Sequence, residues 1–495
     1  MPLVTLDIPA GVYRNGTDYQ SSGRWYDADL VRWIDNAVKP VGGWLQKSQT
    51  ATASKCRSMY AWADNSQARY IAAATHNKLY AYDENGAQYD ITPAGLSAGI
   101  ESATGATGFG TGNYGSETYG TARADSTFII PATSWALDNW GEYLVACSSA
   151  DGKIYEWQLD YLTPTPAAVI ANAPTNCRGL LVTEERFLMA LGAGGNPRKL
   201  QWSDREDNTT WTPLDTNEAG DIELQTDGAI QVGVRTRDQS LILTTTDAHT
   251  TTYIGPPFVF SIQRVGTGCG VISKKAVAAF SGGVVWMGRQ NFFIYAGGQV
   301  SKLPSEVHDH VFADLNRDFG SHVFAVHNSR FSEVWFFYPS GGSTENDRYV
   351  SWNYDTNAWS IGTLVRIAGV DQGAYTNPIW VSPEDNHLYE HEVGLTHTGY
   401  TPFIESGPIG LGAGDNVMRV KTLIPDEENQ GEVEATFKTR FHPNDTERTY
   451  GTYSMTNPTS VRFTGRQIRM RLESTGNLDW RVGRMRLEVS AGGRR

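Results

Sequence analysis

The chain is poor in cysteine and has no long apolar run. Its four cysteines, Cys56, Cys147, Cys177 and Cys269, lie far apart and form no CxxC pair. This spacing indicates neither a zinc site nor a disulfide framework, but buried free thiols. No apolar stretch approaches the roughly 18 residues of a membrane span, and the first residues lack the basic start and apolar segment of a signal peptide. The sequence therefore predicts a protein that is made in the cytoplasm and does not span a membrane.

Positive charge is also scarce, since the net charge is -13. Tight binding of nucleic acid requires clustered Lys and Arg side chains against the phosphates. The composition therefore argues against a protein whose task is to hold DNA or RNA. An acidic surface past which nucleic acid moves without sticking is still compatible with it.

Catalytic and metal-binding motifs are lacking as well. The sequence contains no G-x-S-x-G elbow and no H-E-x-x-H pair. His308 and His310 are two residues apart on a predicted helix at 305–319, which places them on different sides of that helix. His387 and His391 are four apart on a predicted strand, where they lie too far from each other to share one ion. We expect no enzyme activity, no metal and no cofactor.

The residues that are abundant indicate aromatic β-strands joined by tight turns, with 51 Gly, 15 Trp, 23 Tyr and 18 Phe. Residues 69–83, RYIAAATHNKLYAYD, read as a hairpin of two apolar strands about a polar turn. Similar hairpins return about 40 to 55 residues apart, which is the repeat length of four-stranded propeller blades. The fold predicted is all-β: a β-propeller of six or seven blades over residues 51–400, with only one clear hairpin between residues 160 and 233.

Residues 93–133 interrupt the first blade interval. They are rich in Gly, Thr, Ser and Ala, with Phe109, Tyr114 and Tyr119 spaced about five residues apart. No G-K-[ST] follows these glycines, which argues against a phosphate-binding loop. We interpret the segment as an insertion loop that orders against itself or against a neighbouring subunit.

Residues 401–495 change to longer strands that alternate apolar and charged residues, which indicates a C-terminal β-sandwich with one packed face. The predicted outward face is basic, and it is either a docking face for a neighbouring protein or simply solvated. Its arginines are Arg462, Arg466, Arg469, Arg471, Arg481, Arg484 and Arg486.

Residues 1–50 contain no blade-like hairpin and are dense in Gly, Trp and Arg. We expect an extended segment that packs on the propeller or on a neighbour. Arg14, Arg24 and Arg32 could form ordinary surface ion pairs with Asp18, Asp27 and Asp29 or serve an interface.

Both ends of the chain carry recognisable motifs. Near the start these are G-V-Y-R-N-G-T, G-R-W-Y-D, L-V-R-W and G-G-W; near the end they are G-R-Q-I-R-M-R, W-R-V-G-R and G-G-R-R. In these segments the chain resembles the tail nozzle proteins of short-tailed bacteriophages, also called phage stabilisation, head-closure or tail tubular proteins. The Gly-Tyr-Gly insertion and the W-S-D turn at 202–204 are similar to that family too.

The resemblance implies a structural virion protein of the phage tail, assembled in the host cytoplasm. Such a protein forms a homo-oligomeric ring, expected to be a hexamer, below the adaptor protein. The ring retains the genomic DNA and then conducts it through the lumen during ejection without binding it specifically, and it can carry a tail fibre or spike protein.

The same resemblance suggests two sets of functional residues. Phe109, Tyr114 and Tyr119 are candidates for a channel gate, because loops from each subunit of a ring can meet at its axis. Ten further residues are candidates for subunit or adaptor contacts: Arg14, Arg24, Trp25, Arg32, Trp33, Arg466, Arg469, Arg471, Arg484 and Arg486.

Two alternative functions compete with the nozzle. A carbohydrate-binding or glycan-cleaving propeller would also use aromatic side chains, but W-S-D-R-E-D-N-T-T-W lacks the glycine of a sialidase Asp-box, and the spacing yields no acid pair. A cellular propeller scaffold would leave the phage-like ends unexplained, and propellers serve many functions.

Overall fold

Four-stranded antiparallel sheets dominate the part of the chain that the structure describes. The computed structural model describes residues 3–108, 123–160, 165–411, 416–426 and 431–492. Within these residues, seven four-stranded sheets follow one another along the chain, and each forms one blade of a β-propeller. The predicted all-β propeller is confirmed, and the blade count in the described residues is seven.

Blades 1 to 4 are each built from four consecutive strands. Blade 1 contains Ser58–Ala63, Arg69–Ala74, Leu79–Tyr82 and Gln88–Asp90. Blade 2 contains Trp135–Trp140, Tyr143–Ser148, Ile154–Trp157 and Ala168–Val169. Blade 3 contains Gly179–Val182, Leu188–Leu191, Lys199–Trp202 and Gly220–Glu223. Blade 4 contains Ile230–Thr236, Gln239–Thr244, Asp247–Gly255 and Val259–Thr267.

Blades 5 and 6 follow the same plan, and blade 7 completes the ring. Blade 5 contains Val277–Phe280, Gly283–Met287, Phe292–Ala296 and Gln299–Leu303. Blade 6 contains Phe324–Asn328, Glu333–Tyr338, Arg348–Asn353 and Ala358–Gly362. Blade 7 contains Ala368–Val370, Ile379–Val381 and Leu388–His391, and takes its outer strand, Trp44–Gln46, from the N-terminal region.

The ring closes through strands that are distant in sequence. The innermost strand of each blade contacts the innermost strand of the next, and Ala368–Val370 of blade 7 contacts Ser58–Ala63 of blade 1. Trp44–Gln46 pairs antiparallel with Leu388–His391, with Leu45 opposite Glu390. This strand therefore joins the two ends of the ring and leaves blade 7 with four strands.

Turn chemistry explains why the strands break where they do. In blade 1, the Thr75 hydroxyl accepts a hydrogen bond from the backbone N–H of Lys78 at 3.0 Å. At the next turn, an Asp83 carboxylate oxygen accepts from the N–H groups of Asn85 and Ala87, both at 2.9 Å. Short polar side chains that satisfy backbone donors in this way stabilise tight turns. Many of the scattered aspartates therefore serve conformation.

Two sheets form the predicted sandwich, but both recruit strands from the N-terminus. The first sheet has the order Leu3–Leu6, Met485–Ala491, Met418–Ile424, Thr459–Gly465. The second has the order Trp25–Asp29, Phe403–Ser406, Gln467–Ser474, Val433–Arg440, Arg448–Ser454, and Ile409–Gly410 also pairs with Gln467–Ser474.

The predicted domain boundaries therefore need correction at the N-terminus. Residues 1–50 do not form a separate extended segment, because their described strands belong to the sandwich, to blade 7 and to the hairpin Val31–Ile34/Ala37–Pro40. The sandwich is accordingly not confined to residues 401–495. Backbone hydrogen bonding gives the reason, since the Trp25–Asp29 and Leu3–Leu6 strands pair with edges that the C-terminal strands leave open.

One hydrophobic cluster joins the sandwich to the propeller. It contains Phe437 and Leu487 of the sandwich together with Phe292 and Trp359 of blades 5 and 6. The backbone N–H of Val12 also donates to the carbonyl of Trp359 at 2.7 Å. The two parts thus share a core.

The remaining elements are connections. The insertion contains a two-stranded hairpin, Thr104–Gly108 with Arg123–Ile130. The predicted helix at 305–319 is shorter, because α1 spans His308–Asp314 and is followed by a 3-10 turn at Arg317–His322. Further 3-10 turns are Asp18–Ser21, Ala193–Gly195 and Ser329–Phe331.

Candidate functional site at the propeller axis

A cavity of about 920 Å³ lies where the innermost strands of the seven blades converge. Its lining includes residues that precede or begin these strands, so every blade contributes to it. One lining residue from each of blades 1 to 7 is, in order, Arg57, Ser134, Arg178, Gln231, Lys275, Val323 and Ile367. The base of the insertion, at 98–100 and 129–133, lines the same cavity.

The cavity is basic although the whole chain is acidic. Its lining contains six cationic side chains: Arg57, Arg178, Lys274, Lys275, Arg289 and Arg317. The lining also contains two carboxylates, Asp151 and Asp318. Cations therefore outnumber carboxylates three to one there, whereas the chain carries a net charge of -13.

Lys274 and Lys275 reach from the start of blade 5 towards the opposite blades. The Lys274 ammonium donates to the backbone carbonyl of Arg178 at 2.6 Å. The thiols of Cys147 and Cys56 are the near neighbours of Lys274 and Lys275 respectively. Burial raises the pKa of the Cys56 thiol to about 12 and also raises that of Cys147, so both thiols are neutral and compensate neither lysine.

Burial lowers the pKa of both lysines to about 8. The neighbouring cations Arg178, for Lys274, and Lys274, for Lys275, contribute to this lowering. Desolvation and like charge both disfavour an ammonium ion, which is the physical cause. At neutral pH the cavity thus contains cations whose burial costs free energy.

Glu345 anchors the start of the insertion on the rim of this cavity. Its carboxylate accepts from the Arg57 guanidinium at 2.8 and 3.0 Å and from the Lys55 ammonium at 2.8 Å. Arg57 Nε also donates to the carbonyl of Glu101 at 2.7 Å, and the Ser102 hydroxyl contacts Glu345 at 3.3 Å. Burial alone would raise the pKa of Glu345, but Arg57 and Lys55 outweigh it and lower the pKa to about 2.

His322 fastens the insertion from the blade 6 side. Its Nδ1 lies 2.9 Å from the carbonyl of Thr344, and its Nε2 lies 3.2 Å from the backbone nitrogen of Ala103. Burial and the nearby Arg57 lower the pKa of His322 to about 4, so the ring is neutral. A neutral ring that donates from Nδ1 and accepts at Nε2 satisfies both contacts.

The channel gate predicted from the sequence consists of three aromatic residues of the insertion. Phe109, Tyr114 and Tyr119 lie outside the described residues. The described base of the insertion borders the propeller's own axial cavity.

Three of the predicted interface residues in the N-terminal region, Trp25, Arg32 and Trp33, are buried inside the chain, which corrects their assignment as contacts to a neighbour. Trp25 and Trp33 belong to the core that the sandwich shares with the propeller. Arg32 lies between Glu333 and Glu392, with four nitrogen-to-oxygen distances of 2.5 to 3.0 Å. The Phe331 ring stacks on the Arg32 guanidinium at 3.6 Å. Chain closure covers these residues, because the strand that follows them completes blade 7.

Arg14 and Arg24 are half-buried and make ion pairs within the chain. Arg14 pairs with Asp27 at 3.0 Å, as the sequence suggested, whereas Arg24 pairs with Glu306 at 2.5 Å. Glu306 belongs to the connection before α1. The Arg24 pair therefore ties the N-terminal segment to the propeller, whereas the Arg14 pair lies within that segment.

Arg469 is not on a solvated face, contrary to the sequence prediction. It is buried, pairs with Asp18 and with Glu447 at 2.9 Å, and lies 4.8 Å from the centre of the Tyr26 ring. Residues of the N-terminal segment cover this side of the sheet, which is why the arginine is enclosed. Burial alone would lower the pKa of Arg469, but Asp18, Glu447 and Glu405 raise it overall.

The other C-terminal candidates are more accessible. Arg471 pairs with Glu473 at 3.0 Å and stacks on Phe403 at 3.5 Å. Arg466 is partly buried, whereas Arg484 and Arg486 are exposed. Arg484 makes a solvent-exposed pair with Asp7 at 3.2 Å.

The described residues contain few other groups that could support chemistry. All four cysteines are buried and unpaired with one another, which confirms the prediction of free thiols. Within the described ranges, no group of three or more His, Cys, Asp or Glu residues is arranged to hold a metal ion. The helices described there include none with the length and apolar character needed to cross a membrane.

Sequence reasoning missed the basic cavity and the Glu345 cluster. K-K at 274–275 lies just before Val277–Phe280, the innermost strand of blade 5, and no role was assigned to it from the sequence. Two adjacent lysines just before an innermost strand were an available signal, because that position faces the axis in every blade. Glu345 lies in an ordinary turn between strands, and nothing in the surrounding sequence indicated its partners.

The fold and the site define a seven-bladed β-propeller with a β-sandwich built from both chain ends. No family model matches the sequence, and no curated protein matches it. Solved structures with similar folds include virginiamycin B lyase from Staphylococcus aureus, with a TM-score of 0.44 and 7% identity over 70% of this chain and 97% of that chain. The Pan2 WD40 domain of Neurospora crassa has a TM-score of 0.40 and 8% identity over 72% of this chain and 97% of that chain.

The Cps50 (Swd1) β-propeller domain of Myceliophteria thermophila has a TM-score of 0.40 and 10% identity, and covers 70% of this chain and 100% of that chain. These likenesses concern the propeller fold alone. A propeller accommodates both enzymes and non-enzymatic domains, so the fold does not select between them.

Proposed function

We propose that this protein is a non-enzymatic structural component of a virion, the tail nozzle of a short-tailed bacteriophage. In this role it forms a hexameric ring below the adaptor protein and retains the genome until ejection. DNA passes through the lumen of the ring, and a tail fibre or spike protein attaches to the assembly.

The observation that carries the proposal is the convergence of the phage-like motifs in space. The strand of G-R-W-Y-D, Trp25–Asp29, pairs with Phe403–Ser406, which pairs with the G-R-Q-I-R-M-R strand Gln467–Ser474. The W-R-V-G-R segment pairs with the hairpin whose first strand contains L-V-R-W. Val38, in the second strand of that hairpin, and Val482 exchange backbone hydrogen bonds of 2.8 and 3.0 Å. Motifs more than 400 residues apart in sequence thus form one unit.

The net charge of -13 also supports a conduit. A lumen with the same sign of charge as DNA does not retain the phosphate backbone, whereas a basic lumen would. The basic cavity described above lies on the axis of each propeller, and the proposed DNA lumen is the axis of the ring of subunits.

The burial of tryptophan weighs against the carbohydrate-binding alternative. All 15 tryptophans are buried. Sugar-binding sites that use aromatic rings present them to solvent, so these side chains serve packing instead. Among the described residues, the large aromatic side chains that are clearly exposed are Tyr19 and Phe258.

The test is native mass spectrometry of the purified chain, alone and mixed with the adaptor encoded in the same genome. We expect a ring of six copies with the adaptor, and we expect Arg484→Glu together with Arg486→Glu to weaken it. Arg462→Glu, another exposed arginine of the sandwich, is the matched control. A persistent monomer that binds glycans on an array would contradict the nozzle and favour the carbohydrate-binding alternative.

A further inference from the structure

The axial cavity of the propeller contains cations without carboxylate partners. Within the described residues, the Lys275 ammonium has no hydrogen-bond or ion-pair partner, and the Lys274 ammonium bonds only to a backbone carbonyl. Arg57 differs, because Glu345 neutralises it. Buried charge without a counter-charge costs free energy, so an external anion that entered the cavity would be stabilised there.

Unsatisfied donors accompany these charges. Arg178 Nε and the Ser321 hydroxyl are buried and have no hydrogen-bond partner. Both residues line the cavity with Lys274 and Lys275. Buried polar groups in folded proteins are normally satisfied by protein, water or ligand. The cavity therefore offers donors as well as positive charge.

The carboxylates of the lining do not cancel this charge. Asp151 accepts from the Tyr155 hydroxyl at 2.5 Å and from the Lys153 backbone nitrogen at 3.2 Å. Asp318 is exposed, within the 3-10 turn Arg317–His322 that follows α1. Neither forms an ion pair with Lys274, Lys275 or Arg178 among the described residues.

We propose that the axial cavity binds a small oxyanion with several negative charges, held by Lys274, Lys275 and Arg178 and by the Ser321 hydroxyl. The volume of about 920 Å³ is of the size that suits a small molecule. Guanidinium and ammonium groups are the usual partners of phosphate and carboxylate groups. The inference goes beyond the proposed assembly role and does not depend on it.

Calorimetric titration of the full chain with pyrophosphate and with citrate tests the proposal. The two probes separate phosphate from carboxylate as the preferred chemistry. We expect at least one to bind the unaltered protein, and we expect Lys275→Met and Arg178→Met each to weaken binding at least tenfold. The control is Lys302→Met, on the outer strand of blade 5, where the lysine is exposed and should not affect affinity.

Thermal unfolding of each variant shows whether a loss of binding comes from misfolding. Lys275→Met removes an unpaired, partly buried charge, so without ligand it should melt at or above the temperature of the unaltered protein. A saturating probe should raise the melting temperature of the unaltered protein more than that of Lys275→Met. The proposal would be overturned if neither probe bound at about 10 mM, on the order of the weakest useful affinity. It would also be overturned if all variants bound the probes with equal affinity. A third result would also overturn it: binding of a DNA duplex in preference to both probes, with an affinity that Lys275→Met leaves unchanged.

Discussion

Arg32 shows how a single buried charge can link three parts of the fold. It lies in the N-terminal hairpin and binds Glu333 of blade 6 and Glu392, which follows blade 7. Glu392 also accepts from the backbone nitrogen of Gly42 at 3.0 Å and from the Asn328 amide at 2.9 Å. Burial alone would lower the pKa of Arg32, but the two carboxylates raise it overall. The guanidinium is thus a permanent cation between two buried acids.

We predict that Arg32→Met lowers the free energy of unfolding by about 3–5 kcal/mol, because it leaves two buried carboxylates without a countercharge. Urea denaturation followed by tryptophan fluorescence measures the change. Arg462→Met is the control, since Arg462 is exposed and should change stability by less than about 0.5 kcal/mol. Adding Glu392→Gln to Arg32→Met should recover part of the loss. If Arg32→Met and Arg462→Met denature alike, the buried cluster does not stabilise the closure.

Glu345 makes the stability of the folded chain depend on pH in the acid range. Its pKa in the folded chain is about 2, below the ordinary value of 4.5, so the folded state favours the charged carboxylate. Its contribution is fully present above pH 4.5 and is lost as the pH falls from 4.5 towards 2. A shift of this size corresponds to about 3 kcal/mol, because each pKa unit is worth about 1.4 kcal/mol.

We predict that Glu345→Gln flattens the dependence of stability on pH in that range. Melting temperatures recorded between pH 2 and 5 should show the unaltered protein losing more stability than the variant as acid is added. Glu184→Gln, at an exposed position, should follow the unaltered protein. Parallel curves for Glu345→Gln and the unaltered protein would refute the assigned role of the Arg57–Glu345 pair.

At the scale of elements, the strand Trp44–Gln46 closes the propeller although it has only three residues. Leu45 lies opposite Glu390, and its side chain is 55% exposed. Its role is therefore in the backbone ladder rather than in side-chain packing. Proline in a paired strand removes a donor and disrupts the ladder.

We predict that Leu45→Pro loosens blade 7, whereas Leu45→Ser, which keeps the backbone donor, does not. Limited proteolysis should cut Leu45→Pro faster between blade 7 and the N-terminal region. Its melting temperature should fall by several degrees, as about 2–3 kcal/mol is lost. If Leu45→Pro and Leu45→Ser are cleaved equally slowly, the outer strand is not needed to hold the ring closed.

At the scale of the whole molecule, the two chain ends build one sandwich. Leu3–Leu6 pairs with Met485–Ala491, with Leu3 opposite Glu488. Trp25–Asp29 pairs with Phe403–Ser406. Removing the N-terminal strands would expose one edge of each sheet and the apolar side chains beneath.

We predict that residues 401–492 expressed alone do not unfold cooperatively. The same fragment joined by a flexible linker to residues 3–29 should do so, because that addition restores both missing strands and the Asp18 pair with Arg469. Circular dichroism during thermal unfolding distinguishes the two. A cooperative transition in the short fragment would show that the C-terminal strands form an independent domain.

Local patterns were sufficient for the propeller because blades 1 to 6 are each made of four consecutive strands. The strands read from RYIAAATHNKLYAYD lie at Arg69–Ala74 and Leu79–Tyr82. Blade 3 was harder to recognise because its outer strand, Gly220–Glu223, is polar and largely exposed and follows a long turn. An exposed outer strand carries little hydrophobic pattern, so periodicity does not reveal it.

Side-chain partners were poorly predicted wherever they are distant in sequence. Arg32 was matched with nearby aspartates, but Glu333 and Glu392 are 301 and 360 positions away. Arg14 does pair with one of those nearby aspartates, Asp27, which is 13 positions away. Sequence spacing restricts which groups can meet only over short separations.

The amino-acid sequence therefore specified the strands, the turns, the repeat and the free thiols, since these depend on contacts within a few residues. Tertiary structure alone decided that both chain ends share the sandwich, that Arg32 and Arg469 are enclosed, and that Lys274, Lys275 and Arg178 meet at the axis. These outcomes depend on closure of the ring, which brings together residues that no local pattern relates. The charge of the cavity differs from that of the chain for the same reason.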